Sequence, residues 1–184
     1  MTTATKLLGP LTFTTAPEAS RETLKEIEKA FGFVPNLMAT FANAPALLNG
    51  YMALDALYAK GTLRATEREV IQLAASVENQ CTYCTAAHAT VGKHMLKVPA
   101  EIIDAIRAGK LDGNDKLIVL AATVRQIVDK HGHVSEAVVN RFLGAGYTAE
   151  QLLEVLIGIA LKTMSNFTDN IFHVEVDAAF ASEK

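Results

Sequence analysis

The chain has 184 residues, half of them apolar, no tryptophan and a formal net charge of -3, which excludes a disordered chain and suits one domain large enough to bury a core. The mild acidity (pI about 5.9) and the absence of a Lys/Arg-rich stripe argue against nucleic acid and anionic membrane as partners. No stretch is long and apolar enough to span a membrane, and the Thr-rich start, with only Lys6 before its short apolar run, lacks the form of a signal peptide, so the expected location is the cytoplasm.

Residues 1–17 read as irregular, punctuated by Pro10 and Pro17. Ser20 fits an N-cap, and Leu24, Ile27 and Phe31 give a helical stripe that Gly32 stops. After a break at Val34-Pro35-Asn36, a short helix is expected over Leu37–Phe41; Ala44-Pro45 opens a longer one that Gly61 ends. Thr66 starts a strong helix to about Asn79, and the cysteine segment forms the next after a kink near Asn79. Pro99 begins a short helix ending at Gly109, Asp112 to Lys130 a long one, and Ser135 to Leu143 a short one. Thr148 to about Met164 is apolar nearly all round, which predicts a central helix or a subunit interface. A last helix is expected from Asn166 to about Phe180. No segment alternates as a strand does. The expected fold is all-α, one domain over residues 1–184.

The two cysteines of the chain, Cys81 and Cys84, form a Cys-x-x-Cys followed four residues later by His88. On one helix these three side chains share a face. In the cytoplasm such a pair is more often redox-active or metal-binding than a structural staple. A helix start and a neighbouring imidazole both favour the thiolate, which can attack a peroxide O–O bond and become a sulfenic acid; the second thiol then closes a disulfide. Cys84, closest to His88, is the better attacker, and Cys81, nearer the helix end and expected to be more exposed, the better resolver. Zinc bound by Cys81, Cys84 and His88, with His94 or His173 as a fourth ligand, is an alternative, although structural zinc sites normally use two ligand couples. Plain burial of small residues on an apolar helix is another.

A carboxylate would complete the set, and Glu67, Glu69 and Glu78 precede the motif. Thr66-Glu67-Arg68-Glu69 also matches a capping box, and spacing alone favours that role for Glu69. Among the other histidines, His131-Gly132-His133 suits a helix end. His173, with Asn166 and Asn170, suits an inter-helix or subunit hydrogen-bond set, or the lining of a pocket.

Glu69 followed by Cys81-x-x-Cys84-x-x-x-His88 resembles the signature of the alkylhydroperoxidase AhpD branch of the carboxymuconolactone decarboxylase-like family. Arg64 to Glu69, Glu78 to Cys84, Val34-Pro35-Asn36 and Ser165-Asn166-Phe167 resemble its peroxidase-related subgroup, so the likeness covers most of residues 30–180. The resemblance implies an AhpD-like multi-helix bundle, a homo-oligomer (trimer or hexamer), and thiol-dependent reduction of hydrogen peroxide or organic hydroperoxides, with no cofactor or metal. It implies Cys84 as the thiol that becomes sulfenic acid, Cys81 as its resolver, and Glu69 with His88 as a proton relay. The reductant would be a thiol or dithiol, a lipoyl-bearing adaptor in the best-known members. Those members carry a His between the cysteines where this chain has Tyr83, a poor base near neutral pH. A decarboxylase-like lyase, which does not need the cysteine pair, and a redox-sensing or zinc-holding oligomer are the alternatives.

Overall fold

The computed structural model describes residues 8–184; residues 1–7 of the expected irregular segment lie outside it. Residues 8–17 are non-helical. Nine α-helices follow, and no strand is present among the described residues.

Helix α1 (Glu18–Phe31) has Pro17 at its N-cap, three residues ahead of the expected cap at Ser20. Ser20 is buried inside the helix, and its hydroxyl donates to the Ala42 carbonyl oxygen at 2.9 Å, so it serves packing instead of capping. Gly32 ends α1 in the left-handed region at φ 80°, the conformation that costs glycine least. Pro35 and Pro45 mark the starts of α2 (Asn36–Phe41) and α3 (Pro45–Tyr58).

Helix α4 (Ala65–Glu78) is central: Val70, Ile71, Leu73, Ala74 and Ala75 are all fully buried. Its cap differs from the one expected. Arg64 occupies the N-cap, and its backbone N–H donates to Glu67 Oε2 at 2.8 Å, so the reciprocal bond comes from Glu67 and not Glu69.

Helix α5 (Thr82–Thr90) runs into a π-helical turn at Val91–Met95. Helix α6 (Ala100–Ala108) follows Pro99. Helix α7 (Lys116–Asp129) begins later than Asp112, because the Asp115 carboxylate caps it, accepting from the N–H groups of Leu117 (2.8 Å) and Ile118 (3.3 Å). Helix α8 (Glu136–Gly144) is short. Helices α7, α9, α5 and α6 pack around α4.

Helix α9 (Ala149–Phe172) is one unbroken helix of 24 residues, capped by Thr148 and Gln151, where two helices were expected. Nothing between Gly158 and His173 stops it. Thr163, Ser165 and Thr168 return their hydroxyls to carbonyls four residues back, so these polar residues satisfy themselves without breaking the ladder. His173, at φ 52°, ends it, and the expected terminal helix is replaced by an extended segment and a 3₁₀ turn at Ala178–Glu183. One stripe of α9 is buried (Val155, Gly158, Leu161, Lys162, Ser165, Asn166, Asp169). The opposite stripe leaves Leu153, Leu156, Phe167 and Ile171 exposed.

Gly158 lets α9 approach α3 and α4. A Cβ there would lie 2.6 Å from Ile71 Cγ2 and 2.7 Å from the Tyr58 hydroxyl. Gly158→Val is expected to lower the unfolding free energy by about 1–3 kcal/mol through overpacking, read as a lower urea midpoint at unchanged slope. An unchanged midpoint would mean that this close approach does not constrain α9.

Candidate active site

The corner between α4 and α5 sets the cysteines. Gln80 takes the left-handed region at φ 55°, and the Cys81 N–H returns to the Ser76 carbonyl oxygen at 3.0 Å. This turn is pinned to α9: Asn79 Nδ2 donates to Asn166 Oδ1 (2.9 Å), Asn166 Nδ2 to Ser76 Oγ (3.2 Å), and Asn170 Nδ2 to the Asn79 carbonyl oxygen (2.9 Å). Asn166 and Asn170 thus form an inter-helix set. His173 lies exposed beyond it at the helix end.

Cys81 is the N-cap of α5, not a residue within it, so it does not share the helical face of Cys84 and His88. Its sulfur accepts from the Cys84 N–H at 3.3 Å. Its thiol donates to Asp169 Oδ2 at 3.2 Å, and the same oxygen accepts from the Tyr83 N–H at 3.2 Å. Asp169 is therefore a carboxylate at the start of α5, where the helix dipole favours negative charge. The expectation that Cys81 is the more exposed thiol is not met: Cys81 is 0% and Cys84 1% exposed.

Cys84 and His88 open onto a cavity of about 230 Å³. Its apolar wall includes Met38, Met52 and Phe180, and its polar end includes Tyr51, Glu69 and Lys162. Since Glu67 closes the α4 cap, Glu69 points inward: its Oε1 is 2.8 Å from His88 Nδ1. A carboxylate only accepts, so Nδ1 carries the imidazole proton. His88 Nε2 is 2.7 Å from Lys162 Nζ, which also donates to the Tyr51 hydroxyl at 3.3 Å. The structure thus joins Glu69, His88 and Lys162 in a chain ending at the wall that holds Cys84. Lys162, Asp169 and Tyr51 are the members that motif reading passed over. A signal did exist, because Lys162 is the one charged residue between Glu154 and Asp169.

The two thiols are polarised in opposite senses. The Cys84 thiol is pulled down to about 6, first by its hydrogen bonding with Cys81, then by the positive charge of Lys162 and by the nearby His88, against its own burial. The Cys81 thiol is pushed up, first by its hydrogen bond with Cys84, then by burial and by the negative charges of Cys84 and Asp169. Burial works against the Lys162 ammonium, but Tyr51, Cys84 and Glu69 outweigh it and hold the lysine protonated.

Tyr83 is engaged elsewhere. Its hydroxyl donates to the Asp177 carboxylate and accepts from the Leu37 N–H at 3.4 Å. Burial, then the bond to Asp177, push it further from ionising. It ties α5 to the C-terminal segment, where Phe180 packs edge-on against it at 6.1 Å. Glu78 pairs with Arg125 at 2.5 Å, away from the thiols. His131 and His133 lie exposed after α7, and His94 faces Glu183 at 3.7 Å. Among the described residues, no three His, Cys, Asp or Glu side chains gather as a metal-holding group. His88 is turned instead to a carboxylate and an ammonium, whose charge would repel a metal cation.

A helical bundle with a Cys-x-x-Cys at a helix start, facing a Glu–His pair from the preceding and same helices, defines an AhpD-like protein. Residues 45–126 match the carboxymuconolactone decarboxylase family. A peroxidase-related protein with an alkylhydroperoxidase AhpD core, from Ralstonia eutropha, is similar at 26% identity and a TM-score of 0.81, covering 94% of each chain. A peroxidase-related protein from Silicibacter is 17% identical at a TM-score of 0.78, over 91% of this chain and 90% of its own. A debrominase shares the fold at 18% identity and a TM-score of 0.79, over 97% of this chain and 96% of its own. No curated protein matches. The family match covers the middle of the chain, and the fold over nearly all of it is that of the AhpD-like structures.

The thiolate of Cys84 is the reactive form, so its alkylation by iodoacetamide is expected to accelerate as pH rises through about 6 and then level off. Cys81→Ala removes the largest cause of that shift and should move the midpoint up, toward an ordinary thiol. Peptide mapping of the alkylated protein checks both, and preferential labelling of Cys81 at neutral pH would reverse the assignment.

Proposed function

We propose that this protein is a thiol-dependent peroxidase that reduces hydrogen peroxide or small organic hydroperoxides. The observation that carries the reading is the opposite polarisation of the two thiols, Cys84 beside an ammonium and Cys81 beside a carboxylate. Cys84 attacks as thiolate. Its sulfur bonds to one peroxide oxygen, the O–O bond breaks, and an alcohol or water leaves after protonation. Sulfur supplies the two electrons. The Cys81 sulfur then attacks the Cys84 sulfenic acid: the S–S bond forms, the S–O bond breaks, and the hydroxide leaves as water with the Cys81 proton, for which Asp169 is the nearest acceptor. An external dithiol reduces the disulfide by exchange.

Glu69 and His88 act as a positioning and proton-relay pair. Glu69 fixes the imidazole with Nδ1 protonated and Nε2 turned to Lys162. The cavity volume of about 230 Å³ favours small substrates, and its Met and Phe wall favours an apolar substituent on the peroxide. Leu153, Leu156, Phe167 and Ile171 along α9 form an apolar stripe of the kind that self-association covers, which supports a homo-oligomer. Among the described residues no helix is long and apolar enough to cross a membrane.

Titration of free thiols before and after one equivalent of peroxide tests this reading. Wild type is expected to lose both thiols and to form an intramolecular Cys81–Cys84 disulfide, seen by mass spectrometry. Cys84→Ser is expected to lose none at the same dose, whereas Cys81→Ser should stop at a trappable sulfenic acid on Cys84. Oxidation of Cys81 in the Cys84→Ser variant at the wild-type rate would reverse the two roles. Stoichiometric zinc protecting both thiols would sink the peroxidase reading.

A further inference from the structure

His88 has no ring nitrogen left for Cys84. Nδ1 is held by Glu69 at 2.8 Å, and Nε2 faces Lys162 Nζ at 2.7 Å. Tyr83 is also unavailable, since its hydroxyl is committed to Asp177. Yet an attack on a peroxide by a buried thiolate needs an acid at the leaving oxygen, which otherwise departs as an unprotonated alkoxide in a poorly solvated cavity.

Lys162 is placed to supply it. It is 2% exposed and lines the same cavity as Cys84. An ammonium has three N–H donors, and two have acceptors, His88 Nε2 and the Tyr51 hydroxyl. Neither acceptor is an anion, so burial of this charge requires one nearby. The groups facing it are Tyr51 and Asp55 from α3, Glu69 from α4 by way of His88, and Cys84 and His88 from α5. Burial disfavours the ionised form of Asp55. Two anions line the cavity with Lys162: the Glu69 carboxylate, which is engaged by His88 Nδ1, and the Cys84 thiolate.

We propose that Lys162 is the proton donor to the oxygen that leaves when Cys84 attacks a peroxide, and the ion-pair partner of the Cys84 thiolate before that attack. The proposal rests on the peroxidase reading of the site. In the reduced enzyme the pair holds one proton, on Nζ. On attack the S–O bond forms, the O–O bond breaks, and the alkoxide takes that proton and leaves as the alcohol. Cys84 becomes a sulfenic acid and Lys162 a neutral amine. Cys81 then closes the disulfide and releases water. When a dithiol reduces the disulfide, one of its protons goes to Cys81 and the other to Lys162, and Cys84 returns as thiolate. His88, fixed by Glu69, holds the amine at Nε2 and so aims it throughout the cycle.

The test compares two reactions of Cys84 over a wide pH range. Alkylation by iodoacetamide needs the thiolate alone; reaction with tert-butyl hydroperoxide needs the thiolate and an acid. In wild type the alkylation rate should reach a plateau with rising pH, while the peroxide rate should fall again only above the ordinary lysine range, where Lys162 loses its proton. This arm requires no variant. Lys162→Met should raise the alkylation midpoint by about one pH unit or more. Above that midpoint its alkylation should recover, but its peroxide rate should stay lower by on the order of 100-fold. Lys162→Arg should restore the midpoint but not the peroxide rate, because a guanidinium does not give up its proton. A wild-type peroxide rate that keeps the alkylation plateau, or joint recovery of both rates in Lys162→Met, overturns the proposal. Should wild-type Cys84 alkylate normally and ignore peroxide at every pH, the peroxidase reading itself is what fails.

Discussion

Two charges on the buried stripe of α9 set the character of the cysteine pair. Lys162 and Asp169 are seven residues apart, two helical turns and about 10 Å along the axis. Lys162 faces the cavity of Cys84, and Asp169 holds the thiol of Cys81. Hydrogen bonding between the two cysteines couples their protons, and these two charges favour the anion on Cys84 over Cys81. The rest of the fold holds α9 in register against the start of α5. Gly158 admits it to α3 and α4. Glu154 accepts from the Thr62 and Leu63 N–H groups at 2.7 and 3.0 Å, which ties it to the turn before α4. Asn166 and Asn170 bind the corner at Asn79.

What sequence could and could not give follows from this division of labour. The helical class, the proline and glycine boundaries and the Cys84–His88 spacing are local properties, and the structure matches them. Glu69 was ambiguous because three glutamates lie within reach of the motif, two of them in one turn. A shift of the cap by two residues, from Thr66 to Arg64, gives the capping bond to Glu67 and leaves Glu69 for His88. Spacing cannot resolve a two-residue cap shift. Cys81 was placed on the helical face because a Cys-x-x-Cys has helical spacing, but the left-handed Gln80 puts it at the cap instead. The continuity of α9 was hidden by Ser165 and Asn166, polar residues that resemble a break when their side-chain partners are unknown. Lys162 stood out only as an isolated charge, and its meaning depends on three other helices.

The tyrosine between the cysteines belongs to the architecture of the site and not to its proton chemistry. A histidine at that position would titrate near neutral pH and could pass protons between the thiols. Tyr83 does not, and its hydroxyl instead anchors Asp177, which also accepts from the Asn36 N–H at 3.2 Å. Glu183, held by Arg107 at 2.7 Å and Lys93 at 3.1 Å, fastens the far end of the same segment. Between these two anchors Phe180 is carried into the wall of the Cys84 cavity. A position where a histidine would serve proton chemistry serves architecture here, and it shapes the apolar side of the cavity.

That exchange has a chemical consequence for the pair as a whole. Without an ionisable group between the cysteines, each thiol must manage its proton with its own partner. Cys84 has the Lys162–His88–Glu69 chain on one side of α5. Cys81 has Asp169, and it borders a separate depression with Thr85, Arg107 and Glu183 on the other side. The proton partners of Cys84 and of Cys81 therefore lie apart, on either side of the helix start. The bond from the Cys84 N–H to the Cys81 sulfur, at 3.3 Å, is where the two halves meet. Substitution of Lys162 should then act first on Cys84 and substitution of Asp169 first on Cys81, and each reaches the other thiol only through the coupling between them.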